Sequence, residues 1–167
     1  MNLTTIPRNE VGQNQWDGFA KTSDEAWLWH LWDYREPEDF LIPKTDLSFA
    51  VIGDRGQIVL IMPLLLTPRR VARIIPAKSI CSIGGPAAMN GLSQKQRVKL
   101  HEYLRQELSR LATLHGAIQL DIAIPPMAPA YRGANCPRVN PLLTLGCENT
   151  QSQTWVVDLR QTEQELR

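Results

Sequence analysis

The chain has 167 residues, 43% of them apolar and 21% charged, with 18 basic against 17 acidic side chains and a net charge of +1. That length fits one domain with a core of its own, and the apolar fraction excludes a disordered chain. The even charge balance excludes general nucleic-acid binding and broad attraction to an anionic membrane, while leaving room for a local basic patch.

In chain order, residues 1–15 are polar and aperiodic and are assigned to a tail or a first strand. They contain no apolar h-region of a secretory signal. Thr22-Ser23-Asp24-Glu25 has the form of a capping box, which predicts a helix start. The predicted helix carries an apolar stripe of Trp27, Leu28, Leu31 and Tyr34, with Trp27 in the core, and ends before Pro37 and Pro43. Residues 46–66 read as a hairpin: β-branched and aromatic residues flank the turn Gly53-Asp54-Arg55-Gly56. The second arm is apolar at almost every position, which predicts a central strand, and Pro63 should break the ladder.

Residues 69–78 read as a basic, solvated loop, and residues 79–83 as a short strand running into Gly84-Gly85-Pro86. Ser93 and Gln96 form a second capping box. Leu100, Tyr103, Leu104, Leu108, Leu111 and Leu114 then recur at helical spacing, Lys95, Arg97, Lys99, Arg105 and Arg110 fall mainly on the opposite face, and Gly116 is the expected left-handed stop. A period-two strand over residues 117–124 follows, then a Pro-rich loop, a short strand at residues 142–145 and a firmer one at residues 154–159. Thr162 to Glu165 opens a further helix, which stops at Arg167 after too few residues to nucleate alone. The longest apolar run, residues 58–67, is shorter than the roughly 20 residues a membrane span needs. Three cysteines without a C-x-x-C spacing (Cys81, Cys136, Cys147) point to small apolar residues in a reduced, cytoplasmic compartment.

The order of these elements resembles the FemAB-like branch of the GNAT N-acyltransferases. The segments that carry the resemblance are Trp16-Asp17-Gly18-Phe19, Trp29-His30-Leu31-Trp32, the arm from Gly56 to Leu64, Ser82-Ile83-Gly84-Gly85-Pro86 before the long helix, and Thr154 to Leu159. The resemblance implies an α/β fold, a GNAT-like mixed β-sheet flanked by helices. Residues 16–160 would be the N-terminal, acceptor-side unit, and residues 161–167 the start of a truncated helix leading to a missing C-terminal GNAT unit. The implied reaction is amide formation on an amino group of a cell-wall or glycan precursor. Acyl-CoA or aminoacyl-tRNA would be the donor, with no permanently bound cofactor. A nucleotide-linked precursor and a homo-oligomeric state are left open as partners. The alternatives are a non-catalytic scaffolding module and a small acyl-CoA enzyme with a degenerate donor loop.

Acyl transfer asks for orientation, charge stabilisation and a base, and the candidate residues are chosen for those roles. Trp29 and Trp32 could stack on a sugar, and His30 lies beside them as a base. Arg69 and Arg70 could meet a phosphate. Gly84 and Gly85 could cradle an anion ahead of the long helix, although a structural turn is the plainer reading. Asp121 could line a cleft. His101 and His115 read as structural. No donor loop of the form Q/R-x-x-G-x-G/A, no metal-ligand spacing, no G-x-S-x-G and no P-loop is found.

Overall fold

The computed structural model describes residues 2–34, 44–72 and 74–150. The expectations at Pro37, Pro43, Arg73, residues 154–159 and residues 162–167 lie outside that range. In chain order, β1 (Thr4–Pro7) leads into a helical turn α1 (Arg8–Val11) and the helix α2 (Gln13–Thr22). Next come β2 (Thr45–Asp46), β3 (Phe49–Ile52), β4 (Ile58–Met62), β5 (Leu65–Val71), β6 (Ile75–Ser82) and β7 (Ala87–Ala88). The long helix α3 (Gln94–His115) and β8 (Ala117–Ile122) complete the regular elements.

The early helix differs in place from the expectation. It is α2, which starts where Gly12 takes φ +79° and carries Trp16 and Ala20 on its buried side. Position 22 closes this helix rather than opening one. The capping-box residues are spent on tertiary partners: Ser23 Oγ donates to the Ala88 carbonyl, and Glu25 accepts from the Ala88 amide. Asn90 completes the seam by accepting from the Asp24 amide and donating to the Thr22 carbonyl. Of the predicted stripe only a 3-10 turn, Leu28–His30, remains. The core tryptophan is Trp16, 1% exposed, while Trp27 is half-buried.

Two sheets share the work. One has the order β1-β3-β4-β7, antiparallel throughout, and the other has the order β2-β5-β6-β8, with β6 and β8 parallel. β4 is central in its sheet, as its all-apolar sequence predicts. Phe49, Val51, Leu60 and Met62 pack with Leu100, Leu104, Leu108 and Leu111 of α3. Ala50, Ile61 and Ala87 pack with Trp16 and Ala20 of α2. One sheet therefore lies between the two helices, and the sequence needs apolar residues on both of its faces.

Pro63 is where the chain changes sheet. It cannot donate to a ladder, and at the next residue the Ser48 hydroxyl stands in for one, accepting from the Leu64 amide at 2.9 Å. β5 and β6 then pair from Leu65↔Cys81 to Val71↔Ile75, so residues 69–71 and 75–78 are hairpin arms rather than parts of a loop. The prolines at 68 and 76 hid this ribbon from the sequence.

α3 follows its prediction closely. Ser93 Oγ accepts from the Gln96 amide, Gln96 Oε1 accepts from the Ser93 amide, and Gly116 stops the helix at φ +64°. Ser93→Ala should cost about 1 kcal/mol, read as a melting-temperature drop of about 2–4 °C. Residues 142–145 correct the expected strand: Pro141–Leu145 is a 3-10 turn, because Asn140 caps it by accepting from the Leu142 amide.

Candidate active site

β6 and β8 run side by side to Ser82 and Ile122, and the Ala123 amide still donates to the Ser82 carbonyl. There the two strands part. The chain after β6 turns through Gly84 and Gly85 to join β4 as β7, while the chain after β8 continues to Ile124 and Pro125. A cleft of about 270 Å³ opens in this divergence, with Leu60 and Ala88, Gly84 and Pro86, and Ile124 and Pro125 among its walls.

Both glycines are required by the turn. A Cβ on Gly84 would lie 2.8 Å from His30 Cε1, and a Cβ on Gly85, which has φ +65°, would lie 2.7 Å from the Ala123 carbonyl oxygen. The pair lets one strand leave its neighbour without losing contact with the core on either side. The Gly85 amide donates to Ser82 Oγ rather than pointing at an anion.

Glu25, Arg97, His101 and Tyr131 are among the polar residues lining the cleft. Glu25, from the loop after α2, reaches Arg97 Nη1 at 2.6 Å with its second oxygen on the Ala88 amide. Arg97 and His101, one helical turn apart on α3, both line the cleft. This corrects the assignment of Arg97 to the solvent face. Tyr131, from the 3-10 turn Pro129–Tyr131, faces them. Burial lifts its phenol above the ordinary value, with Glu25 adding and Arg97 opposing, so it stays protonated at neutral pH.

The tautomer of His101 follows from its neighbours. Thr144 Oγ1 lies 2.7 Å from His101 Nδ1 and 2.7 Å from the Pro141 carbonyl. A carbonyl only accepts, so the single hydroxyl proton goes to Pro141. The hydroxyl oxygen then accepts from Nδ1–H, which leaves the lone pair on Nε2. Burial, the largest effect, and Arg97 lower the His101 pKa from its usual value while Glu25 raises it, and the net shift is downward. The ring is therefore neutral at pH 7, a base held in one orientation.

The predicted residues are distributed differently. Gly84 alone among them lines this cleft. His30 is fully buried: its Nδ1 accepts from the Trp27 amide and its Nε2–H donates to the Gly85 carbonyl, both at 3.1 Å. Burial brings its pKa down to about 4. With both ring nitrogens used, His30 supports the Gly84–Gly85 turn from behind. Trp29 borders a smaller hollow on that side. Trp32 stacks under the Arg8 guanidinium at 4.3 Å and meets Trp16 edge-on, and Arg8 also donates to the Trp32 carbonyl. Arg69 and Asp121 form an exposed pair at 3.5 Å, and Arg70 lies on the exposed arm of the hairpin. None of these three lines the cleft. The sequence reading missed Glu25, Arg97, His101, Tyr131 and Thr144. Only the i, i+4 spacing of Arg97 and His101 beside the leucine stripe carried a usable signal.

The fold is shared with two solved N-acetyltransferases, in keeping with the GNAT-like α/β fold that the resemblance implied. The chain is similar to the aminoglycoside antibiotic 6'-N-acetyltransferase AAC(6')-Ih from Acinetobacter baumannii, at 12% identity and a TM-score of 0.51, over 94% of this chain and 98% of that one. It is also similar to the ribosomal-protein-alanine N-acetyltransferase from Brucella melitensis biovar Abortus, at 8% identity and a TM-score of 0.53, over 95% and 98% of the two chains. No protein-family model matches the sequence, and no curated protein matches it.

Proposed function

We propose that the chain is an N-acyltransferase unit that accepts an amine in the cleft between the Gly84–Gly85 turn and Ile124–Pro125. The observation that carries this is His101, fixed by Thr144 as a neutral imidazole with its lone pair on Nε2, in a half-apolar cleft at a strand divergence. An amine is protonated at neutral pH and must lose a proton to attack. His101 Nε2 takes that proton, and the nitrogen attacks the carbonyl carbon of the acyl donor. As the C–N bond forms and the tetrahedral intermediate collapses, the bond from carbon to the leaving sulfur of an acyl-CoA breaks. Tyr131, kept protonated by burial, gives the leaving thiolate a proton and takes back the second proton of the nitrogen as the neutral amide forms, so that one proton in all is left on His101.

The finer reading is the acceptor-side unit of a FemAB-like enzyme acting on an amino group of a glycan or cell-wall precursor. The N-terminus of α3 favours it: there Ser93 and Gln96 cap each other, and no glycine-bearing donor loop precedes the helix. A second unit would then supply the donor side.

The test is mass-spectrometric detection of amide formation from acetyl-CoA on a panel of amino sugars and nucleotide-linked amino sugars, with this chain and with the chain extended by its downstream coding sequence. Amide formed only by the extended protein supports the acceptor-side reading. Amide formed by this chain alone supports a one-unit enzyme. No amide from either, with acetyl-CoA binding also absent by calorimetry, makes the chain a scaffolding module and removes the proposal.

A further inference from the structure

The hairpin of β5 and β6 does something the cleft does not need. Among the described residues, β2 pairs with β5 only at Leu65 and Leu66, and β8 joins β6 only from Lys78 onward. From Arg69↔Ala77 to Val71↔Ile75 the two strands therefore run, among the described residues, as a ribbon without a third strand. Burial falls along it in the same direction: Ile80 and Ser82 are buried, while Arg69, Arg70, Val71, Ile75 and Pro76 are all exposed. A two-stranded ribbon in water is marginal by itself, yet its tip carries aliphatic side chains. Ile74 is 82% exposed, Ile75 60% and Val71 39%. Val71 and Ile75 are cross-strand partners on one face, with Ile74 in the turn beside them.

The charge on this ribbon is one-signed. Residues 65–82 contain Arg69, Arg70, Arg73 and Lys78 and no acidic residue, in a chain whose net charge is only +1. Among the described residues, the acid that faces the ribbon is Asp121 of β8, which pairs with Arg69 while Gln119 donates to it. Arg70 and Lys78 are exposed on the opposite face from Arg69.

From the projecting aliphatic tip and its basic flanks we propose that this hairpin docks the protein on an anionic lipid surface. Ile74, Ile75 and Val71 enter the headgroup boundary, and Arg69, Arg70 and Lys78 meet lipid phosphates. An apolar tip with basic flanks is the composition that binds such an interface. Single-stranded nucleic acid would instead call for aromatic stacking platforms, and none of residues 65–82 is aromatic. The proposal is independent of the acyltransferase reading, because neither its residues nor its test involves the cleft.

The experiment is co-sedimentation with vesicles of phosphatidylcholine alone and of phosphatidylcholine mixed with phosphatidylglycerol, at low and high salt. Binding should appear with the mixed vesicles only and weaken as salt rises. Each positive charge removed should lower partitioning about fivefold, so Arg69→Glu with Arg70→Glu should reduce it at least 25-fold by that rule. Ile74→Ser, alone or with Ile75→Ser, should reduce it about tenfold or more. Circular dichroism and melting of each variant establish that the fold is kept, and Ile74→Ser, in the turn, is the variant least able to disturb it. No binding to the mixed vesicles overturns the proposal, as does equal binding by the variants. So does full displacement by a homopolymeric RNA at matched charge. Light scattering that finds a dimer dissociated by Ile74→Ser in the absence of lipid would mean that a second copy covers the tip, and would overturn it as well.

Discussion

Replacing His101 with Gln should lower kcat/KM for amide formation by about 10²–10⁴-fold, the range by which a positioned general base contributes. Gln is close in length, and its amide can still donate to Thr144 Oγ1, so the turn at Pro141–Leu145 should stay docked. What it cannot do is take a proton from an ammonium ion. The pH profile separates this from a packing effect. Because the His101 pKa is lowered from its usual 6.5, mainly by burial, the imidazole is a competent base above a midpoint that lies below 6.5. Activity of the wild type should therefore fall as pH drops through that midpoint. The variant should lose this acid limb along with its rate. A variant that keeps the acid limb, or retains activity within a few-fold of wild type, would assign the base elsewhere.

Much of the frame was legible because local and tertiary demands agreed. α3 has a reciprocal cap, a leucine stripe and a left-handed stop, and each of those signals is strictly local. The β3–β4 hairpin has a glycine turn between two runs of β-branched residues, and burial on both faces asks for that same composition. The early helix was misplaced because T-x-x-E is a local motif whose donors and acceptors found better partners far away in sequence. Ser23 and Glu25 bind the edge of β7, over sixty residues on. The site was less legible for the same reason. Its polar members come from the loop after α2, from α3 and from two 3-10 turns, and their meeting depends on where β6 and β8 separate. His30 drew attention by its aromatic neighbours. Those neighbours, Trp29 apart, reflect packing around Trp16, and the imidazole serves the backbone of the Gly84–Gly85 turn. His101 sat in a charged helical stretch, where a histidine reads as surface until Thr144 and Pro141 are seen to fix it.

His30 gives the second large expectation, and it concerns stability. In the unfolded chain its imidazole titrates near 6.5, while in the folded protein burial holds it to about 4. Above pH 6.5 both states are neutral and the residue adds no pH dependence. Between 6.5 and 4 the unfolded state binds a proton that the folded state does not, so stability falls as pH falls, and below 4 both states are protonated and the loss levels off. A depression of this size corresponds to about 3 kcal/mol across the window. His101 is shifted in the same direction, so the diagnostic quantity is a difference. The gap in unfolding free energy between wild type and His30→Gln, measured by urea titration at pH 7 and at pH 4, should shrink by about 3 kcal/mol, because Gln cannot protonate. A gap that stays constant across this range would mean that His30 titrates normally and is open to solvent. If the variant does not fold, the ring resonances of His30 in the wild type decide the matter: a midpoint near 4 agrees with burial beneath Gly84, and one near 6.5 contradicts it. The consequence reaches the cleft, since the ring that loses its neutral form at low pH is the one against which the Gly84 backbone rests. Protonation would leave Nδ1 unable to accept from the Trp27 amide. The Gly84–Gly85 turn should then loosen before α3 or the central strands, so amide hydrogen exchange at acid pH should accelerate first around residues 27–30 and 84–86.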